Sequence, residues 1–122
     1  MAYPERMALS RLKAVRFPPQ RTVIHKGFID TVIHTDSNLP QKVSFAYVDF
    51  DFYEPIKIAL EFLHITTVAG SIIIVDDYDY FSTGAKIAVD EFLSDKNSAT
   101  IIYDCTIPNK TYGYFAILSR IF

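Results

Sequence analysis

The sequence predicts an α/β domain with parallel strands and a C-terminal antiparallel hairpin, and three observations carry that prediction. Val43-Ser-Phe-Ala-Tyr-Val-Asp49 and Ser71-Ile-Ile-Ile-Val-Asp76-Asp77 are short β-branched and aromatic runs that end abruptly in carboxylates, the pattern of strands buried on both faces whose last residues emerge at a sheet rim. Between them, Ile56, Ala59, Leu60 and Leu63 recur at i, i+3, i+4 and i+7, and Pro55 suits a first helical turn, so residues 55–68 read as an amphipathic helix. Strand, helix and parallel strand form a βαβ unit, whose right-handed crossover brings both strands' carboxyl ends to one rim. Asp49, Asp51, Asp76, Asp77 and Asp79 therefore converge, five of the fourteen acidic residues. Carboxylates so gathered repel one another unless a cation neutralises them, so the rim reads as a metal site.

The flanking elements follow in order. Residues 4–16 form a helix, with Pro4 in its first turn, Ala8, Leu12 and Val15 on one face, and Pro18-Pro19 as its stop. Its basic residues read as a solvated face. Residues 21–28 read as a strand closing on Gly27, followed by a polar connection from Asp30 to Pro40. After the βαβ unit, an acidic aromatic loop from Tyr78 to Ser82 leads into a helix over 84–95, with Ala85, Val89, Phe92 and Leu93 as its buried stripe. Residues 100–103 and 113–118 read as strands whose connecting loop is short enough for an antiparallel hairpin. Three strands are thus expected in parallel, with the hairpin after them.

Length and composition exclude several classes. A chain of 122 residues, 50% hydrophobic and 21% charged, is expected to form one domain over residues 1–122. No run reaches the ~18 apolar residues of a membrane span, and the opening residues carry no apolar signal core, so no membrane role and a cytoplasmic location are expected. The net charge of −2 argues against nucleic acid as a partner. The single Cys105 permits no internal disulfide and sits in no nucleophile motif.

Four linked segments resemble the macrocin-O-methyltransferase family in order and spacing: residues 26–31 (KGFIDT), 49–54 (DFDFYE), 70–78 (GSIIIVDDY) and 88–92 (AVDEF). The resemblance implies a Rossmann-like class I methyltransferase fold, S-adenosylmethionine as methyl donor, Mg²⁺, and a sugar or other small hydroxylated molecule as acceptor. Family members usually carry glycine and serine where this chain has Phe50 and Pro55. By resemblance, Asp49, Asp76 and Asp77 are the metal ligands, Asp49 or Asp51 is the general base, and Tyr53 and Tyr78 line the acceptor pocket. His25, Gly27 and Phe28 would lie beside the methyl donor, and Lys110 and Tyr112 could border the acceptor by fold analogy alone. Such chemistry wants these residue types. An alcohol is too weak an acid to ionise unaided, and hard carboxylate oxygens select Mg²⁺, which lowers the pKa of a bound hydroxyl and orients it.

The resemblance also exposes an absence. None of the four glycines, at 27, 70, 84 and 113, forms a Gly-X-Gly turn between strand and helix, so the chain resembles the carboxyl-terminal portion of the fold, its first two strands missing. In the family's strand order those two strands would separate segment 21–28 from segment 43–49 by about 14 Å, at ~4.8 Å per strand. Such a slot leaves unpaired backbone, so either the strands close up on each other, another chain fills the gap, or the chain is a fragment of a longer protein; a chain that folds alone is expected to be an oligomer or to rearrange its first strand, and to bind S-adenosylmethionine weakly or not at all. Two other functions stay open: a truncated, non-catalytic module that binds a metal, ligand or partner, and a glycosyltransferase fragment using Asp49-Phe-Asp51 as its Asp-X-Asp.

Overall fold

The computed structural model describes residues 4–80 and 83–122, so Ser82, the predicted end of the loop after Tyr78, lies outside the described residues, as does the side chain of Tyr112. The chain divides into two compact units, Met1–Asp36 and Ser37–Phe122.

In the first unit, helix α1 spans Glu5–Ala14 and buries none of its residues, as a solvated basic helix should. It ends in a Schellman arrangement without glycine. Arg16 takes the left-handed conformation at φ +59°, Phe17 N–H donates to Leu12 O at 2.9 Å, and Arg16 N–H donates to Lys13 O at 3.0 Å. Pro18-Pro19 then turns the chain into a 3-10 turn over Pro19–Arg21.

Residues 21–28 are not a strand. They run without a ladder partner and lead into helix α2, Ile29–Thr35, where the sequence suggested a polar connection. The physical reason is that a strand is a paired object: the β-branched run Thr22-Val-Ile has the composition, and no neighbouring strand among the described residues supplies the hydrogen bonds. Val32 is the buried residue of α2.

The second unit holds a four-stranded sheet in the order β1-β2-β4-β3, with β1 at Val43–Val48, β2 at Thr67–Asp76, β3 at Tyr103–Thr106 and β4 at Phe115–Arg120. Strands β1 and β2 are parallel, Val48 facing Val75, and β4 runs antiparallel to both β2 and β3. Two parallel strands are therefore present, not three. The terminal hairpin forms as expected, shifted two to three residues towards the C-terminus. Asn97 sets that shift: its Oδ1 accepts from Ile102 N–H and Tyr103 N–H at 2.9 and 3.0 Å, so 100–102 serve as a connection and pairing starts at Tyr103.

Helix α3, Tyr53–Thr66, and helix α4, Gly84–Lys96, follow β1 and β2 and pack against each other. Their buried stripes, Ile56, Ala59, Leu60 and Leu63 and then Ala85, Ala88, Val89 and Phe92, cover the sheet face formed by Val48, Ile73, Val75, Tyr103, Ala116 and Leu118. The opposite face shows the alternate residues: Phe45, Tyr47 and Ile72 are exposed. Strand β1 pairs only with β2, so its outer edge carries no partner strand among the described residues. At the start of β2, Ser71 stitches an irregularity in the ladder, donating from Oγ to Val43 O at 2.8 Å and accepting from Val68 N–H at 3.0 Å. No helix of the described residues is long and apolar enough to cross a membrane.

Candidate metal centre

The rim above β1 and β2 is built by their register. With Val48 opposite Val75, the next residues on the two strands bring Asp49 beside Asp76. One carboxylate oxygen each from Asp49, Asp76 and Asp77 lies within 4.8 Å of the others. Asp77 reaches the group because its backbone is left-handed, at φ +59°, which turns the chain sharply at the strand end. The Asp77 amide donates to Asp76 Oδ1 at 2.9 Å, and Tyr78 N–H donates to Tyr114 O at 3.0 Å, which fixes the turn on β4.

The electrostatics are those of crowded like charges. Partial desolvation, then the charge and hydrogen bond of Asp76, then Asp77 and Asp51, push the Asp49 carboxyl above its ordinary range. Asp77 is raised by desolvation first and then by Asp76 and Asp51. Tyr47, one strand repeat before Asp49, is pushed up to about 12 by desolvation, by a hydrogen bond to Asp76, and by the charges of Asp76, Asp49 and Asp77. Residues under this mutual repulsion, with oxygens alone as donors, fit a hard divalent cation.

The remaining expected residues are distributed as follows. Asp51 adds its charge to Asp49 and Asp77 without joining the three-oxygen set. Asp79 turns towards Lys110, 3.5 Å away. Tyr53 and Tyr78 direct their hydroxyls to α4: Tyr53 donates to Glu91, and Tyr78 donates to Asp90 Oδ1 at 2.7 Å. Lys86 bridges Asp90 Oδ2 at 2.7 Å and the Tyr78 hydroxyl at 3.4 Å. His25, Gly27 and Phe28 belong to the first unit. There His25 Nδ1 meets Asp36 Oδ2 at 3.0 Å, Phe28 is exposed, and Gly27 takes φ +143°, which only glycine adopts without strain. Cys105 is half-buried in β3, and burial pushes its thiol up, as for an unreactive strand residue.

Two site features were missed from the sequence. Tyr47 looked like one more apolar strand residue, and the period of two that places 47 and 49 on one face was the available signal. Gly84 starts α4 so close to α3 that a Cβ would stand 2.9 Å from Tyr53 N, and no sequence signal marks that approach.

Sheet order and helix placement define a mixed α/β fold with a carboxylate rim. The chain is similar to the apo structure of CalS11, a TDP-rhamnose 3'-O-methyltransferase of calicheamicin biosynthesis, at 23% identity and a TM-score of 0.65 over 93% of this chain and 50% of that one. It is also similar to a protein from Corynebacterium glutamicum, at 8% identity and a TM-score of 0.65 over 97% of this chain and 56% of the other. These likenesses are of fold, and the chain spans about half the length of both structures. No protein-family model and no curated protein matches it. The expected partial Rossmann-like fold is thus met, while a place in the macrocin-O-methyltransferase family rests on the four sequence motifs alone.

Proposed function

We propose that this chain carries the metal-binding, acceptor-activating part of a Mg²⁺- and S-adenosylmethionine-dependent O-methyltransferase whose acceptor is a sugar or another small polyhydroxylated molecule. The observation that carries the proposal is the meeting of Asp49, Asp76 and Asp77 within 4.8 Å at the carboxyl rim of this fold. A divalent cation, when bound there, lowers the pKa of a coordinated hydroxyl and orients it. Asp49, Asp76 and Asp77 hold that cation. Asp51, beside them on the loop after β1, accepts the acceptor's proton. The name of one similar structure, CalS11, a TDP-rhamnose 3'-O-methyltransferase, supports the class.

The residues present do not make a full cradle for S-adenosylmethionine. No Gly-X-Gly turn follows a strand in the sequence, and the expected strand at 21–28 is unpaired. No step is therefore assigned to the methyl donor on these residues. A second reading, the interaction module without catalysis, is favoured by the bare edge of β1 and the exposed Phe45, Tyr47 and Ile72 beside it. The glycosyltransferase reading is weaker, because Asp49 groups with Asp76 and Asp77 and not with Asp51.

Calorimetric titration of the chain with Mg²⁺ or Mn²⁺, and separately with S-adenosylmethionine and its demethylated product, tests the proposal. Saturable cation binding that Asp76→Asn abolishes supports the metal centre. Methyl-donor binding on top of it supports the enzyme, whereas cation binding with no response to millimolar donor favours the module. A folded chain that takes up no divalent cation overturns the proposal.

A further inference from the structure

The two outer strands of the sheet differ. Strand β3 is four residues long and carries Asp104, a short and charged edge of the kind that resists pairing. Strand β1 is six residues long, Val43-Ser-Phe-Ala-Tyr-Val48, with neither charge nor proline, and its outer edge carries no partner strand among the described residues. It is also regular. Val43 faces Thr67 and Phe45 faces Ile72, so the extra residues of the ladder irregularity belong to β2, and no bulge turns β1 away. Phe45 and Tyr47 are exposed on one face of the strand, and the alternation places Ala46 between them on the other.

Charge selects what this edge pairs with. Lys42 precedes β1 while Asp49 and Asp51 follow it, all three exposed, so the strand is positive at its start and negative at its end. Lys42 enters no ion pair among the described residues. A second β1 laid parallel and in register brings like charges together at both ends, which is unfavourable across paired strands. Laid antiparallel, each start meets the other's end and opposite charges face one another. A two-fold axis through such a pair also closes the assembly at two copies. With the axis at Ala46, Phe45 faces the partner's Tyr47 and Lys42 comes between the partner's Asp49 and the partner's Asp51. Aromatic cross-strand pairs of this kind are stabilising.

We propose that β1 is a dimer edge, on which two copies of this chain pair antiparallel about a two-fold axis at Ala46 and join their four-stranded sheets into one. The inference does not rest on the metal reading of the rim.

Cysteine cross-linking with sedimentation tests both the edge and its register. Residues facing each other on antiparallel strands have Cα atoms about 4.5–5.5 Å apart, within disulfide range, so Ala46→Cys is expected to give a covalent dimer under mild oxidation. Ser44→Cys, the control on the same face, sets its two Cα atoms about 13 Å apart and is expected to stay uncross-linked. The unaltered chain, whose Cys105 is half-buried in β3, serves as the blank. Lys42→Glu places like charges together twice per dimer and is expected to weaken association about tenfold, an effect that shrinks in high salt. A disulfide in Ala46→Cys but not in Ser44→Cys, with association weakened by Lys42→Glu, supports the proposal. A dimer that cross-links in Ser44→Cys or in neither variant, or that Lys42→Glu leaves unchanged, overturns this edge and register. A monomer at every concentration overturns the dimer and leaves the edge to a strand of a different polypeptide.

Discussion

His64 Nδ1 in the last turn of α3 stands 2.8 Å from the hydroxyl of Tyr103 on β3. Arg120 on β4 completes the junction, donating from Nη1 to His64 O at 2.6 Å, to Thr67 O at 3.0 Å and to the Tyr103 hydroxyl at 3.4 Å. Arg120 can only donate, so the Tyr103 oxygen accepts from it, and the hydroxyl shares a further hydrogen bond with His64 Nδ1. Burial first, and then the charges of Lys96 and Arg120, lower the His64 pKa, although Glu61 and Asp95 oppose them.

The sign of the pH dependence follows. An unfolded histidine takes its proton near pH 6.5, before the folded one does, so this group's stabilisation is full above that pH and is lost as pH falls from there towards the lowered folded value. Urea unfolding of the chain at pH 7.5 and 5.5 should show a stability drop that His64→Gln diminishes. An equal drop in His64→Gln would assign the effect to other groups.

The carboxylate rim predicts an opposite trade. Asp49 and Asp77 have raised folded pKa values, so in the absence of a cation their contribution to stability is best below the ordinary Asp range near pH 3.9 and falls as pH rises through the raised values. Asp49→Asn is expected to raise the melting temperature of the metal-free chain slightly at pH 7, less so in high salt, because Asp49 is exposed and screened. The same change should abolish stabilisation by added Mg²⁺. Thermal melts with chelator and with Mg²⁺ check both halves.

Leu60 on α3 is fully buried between helix and sheet. Leu60→Ala should cost about 2–5 kcal/mol, read as a lower urea midpoint at unchanged slope. Ile65, on the outer face of the same helix and 82% exposed, should cost less than about 0.5 kcal/mol when truncated to alanine.

Gly84 predicts a coupling between packing and the site. A methyl at this position meets the Tyr53 backbone nitrogen at 2.9 Å, and backbone cannot yield as a side-chain tip can. Gly84→Ala should therefore displace the start of α3, lower stability by about 1–3 kcal/mol as overpacked positions do, and weaken Mn²⁺ binding through the adjoining 49–52 loop. Amide shifts of Tyr53 in a heteronuclear NMR spectrum locate the displacement.

The edge of β1, which carries no partner strand among the described residues, predicts association. Sedimentation of the chain over a range of concentrations should show reversible oligomers, and Phe45→Lys, which places a charge on the exposed edge strand, should reduce them. A monomer at every concentration counts against completion of the sheet by a second copy.

What the sequence determined by itself was whatever a local period encodes. The Ile56, Ala59, Leu60 and Leu63 stripe, the β-branched runs before Asp49 and Asp76, and the handedness of a βαβ crossover were sufficient to bring three carboxylates to one rim, because each depends on neighbours a few residues away. The tertiary structure decided what depends on partners far along the chain. Residues 21–28 have strand composition and form no strand, because pairing is settled by what lies alongside. The Tyr53 and Tyr78 hydroxyls turn to Glu91 and Asp90 on α4. Side-chain direction across such separations is set by strand register and helix packing, which no short window of sequence contains.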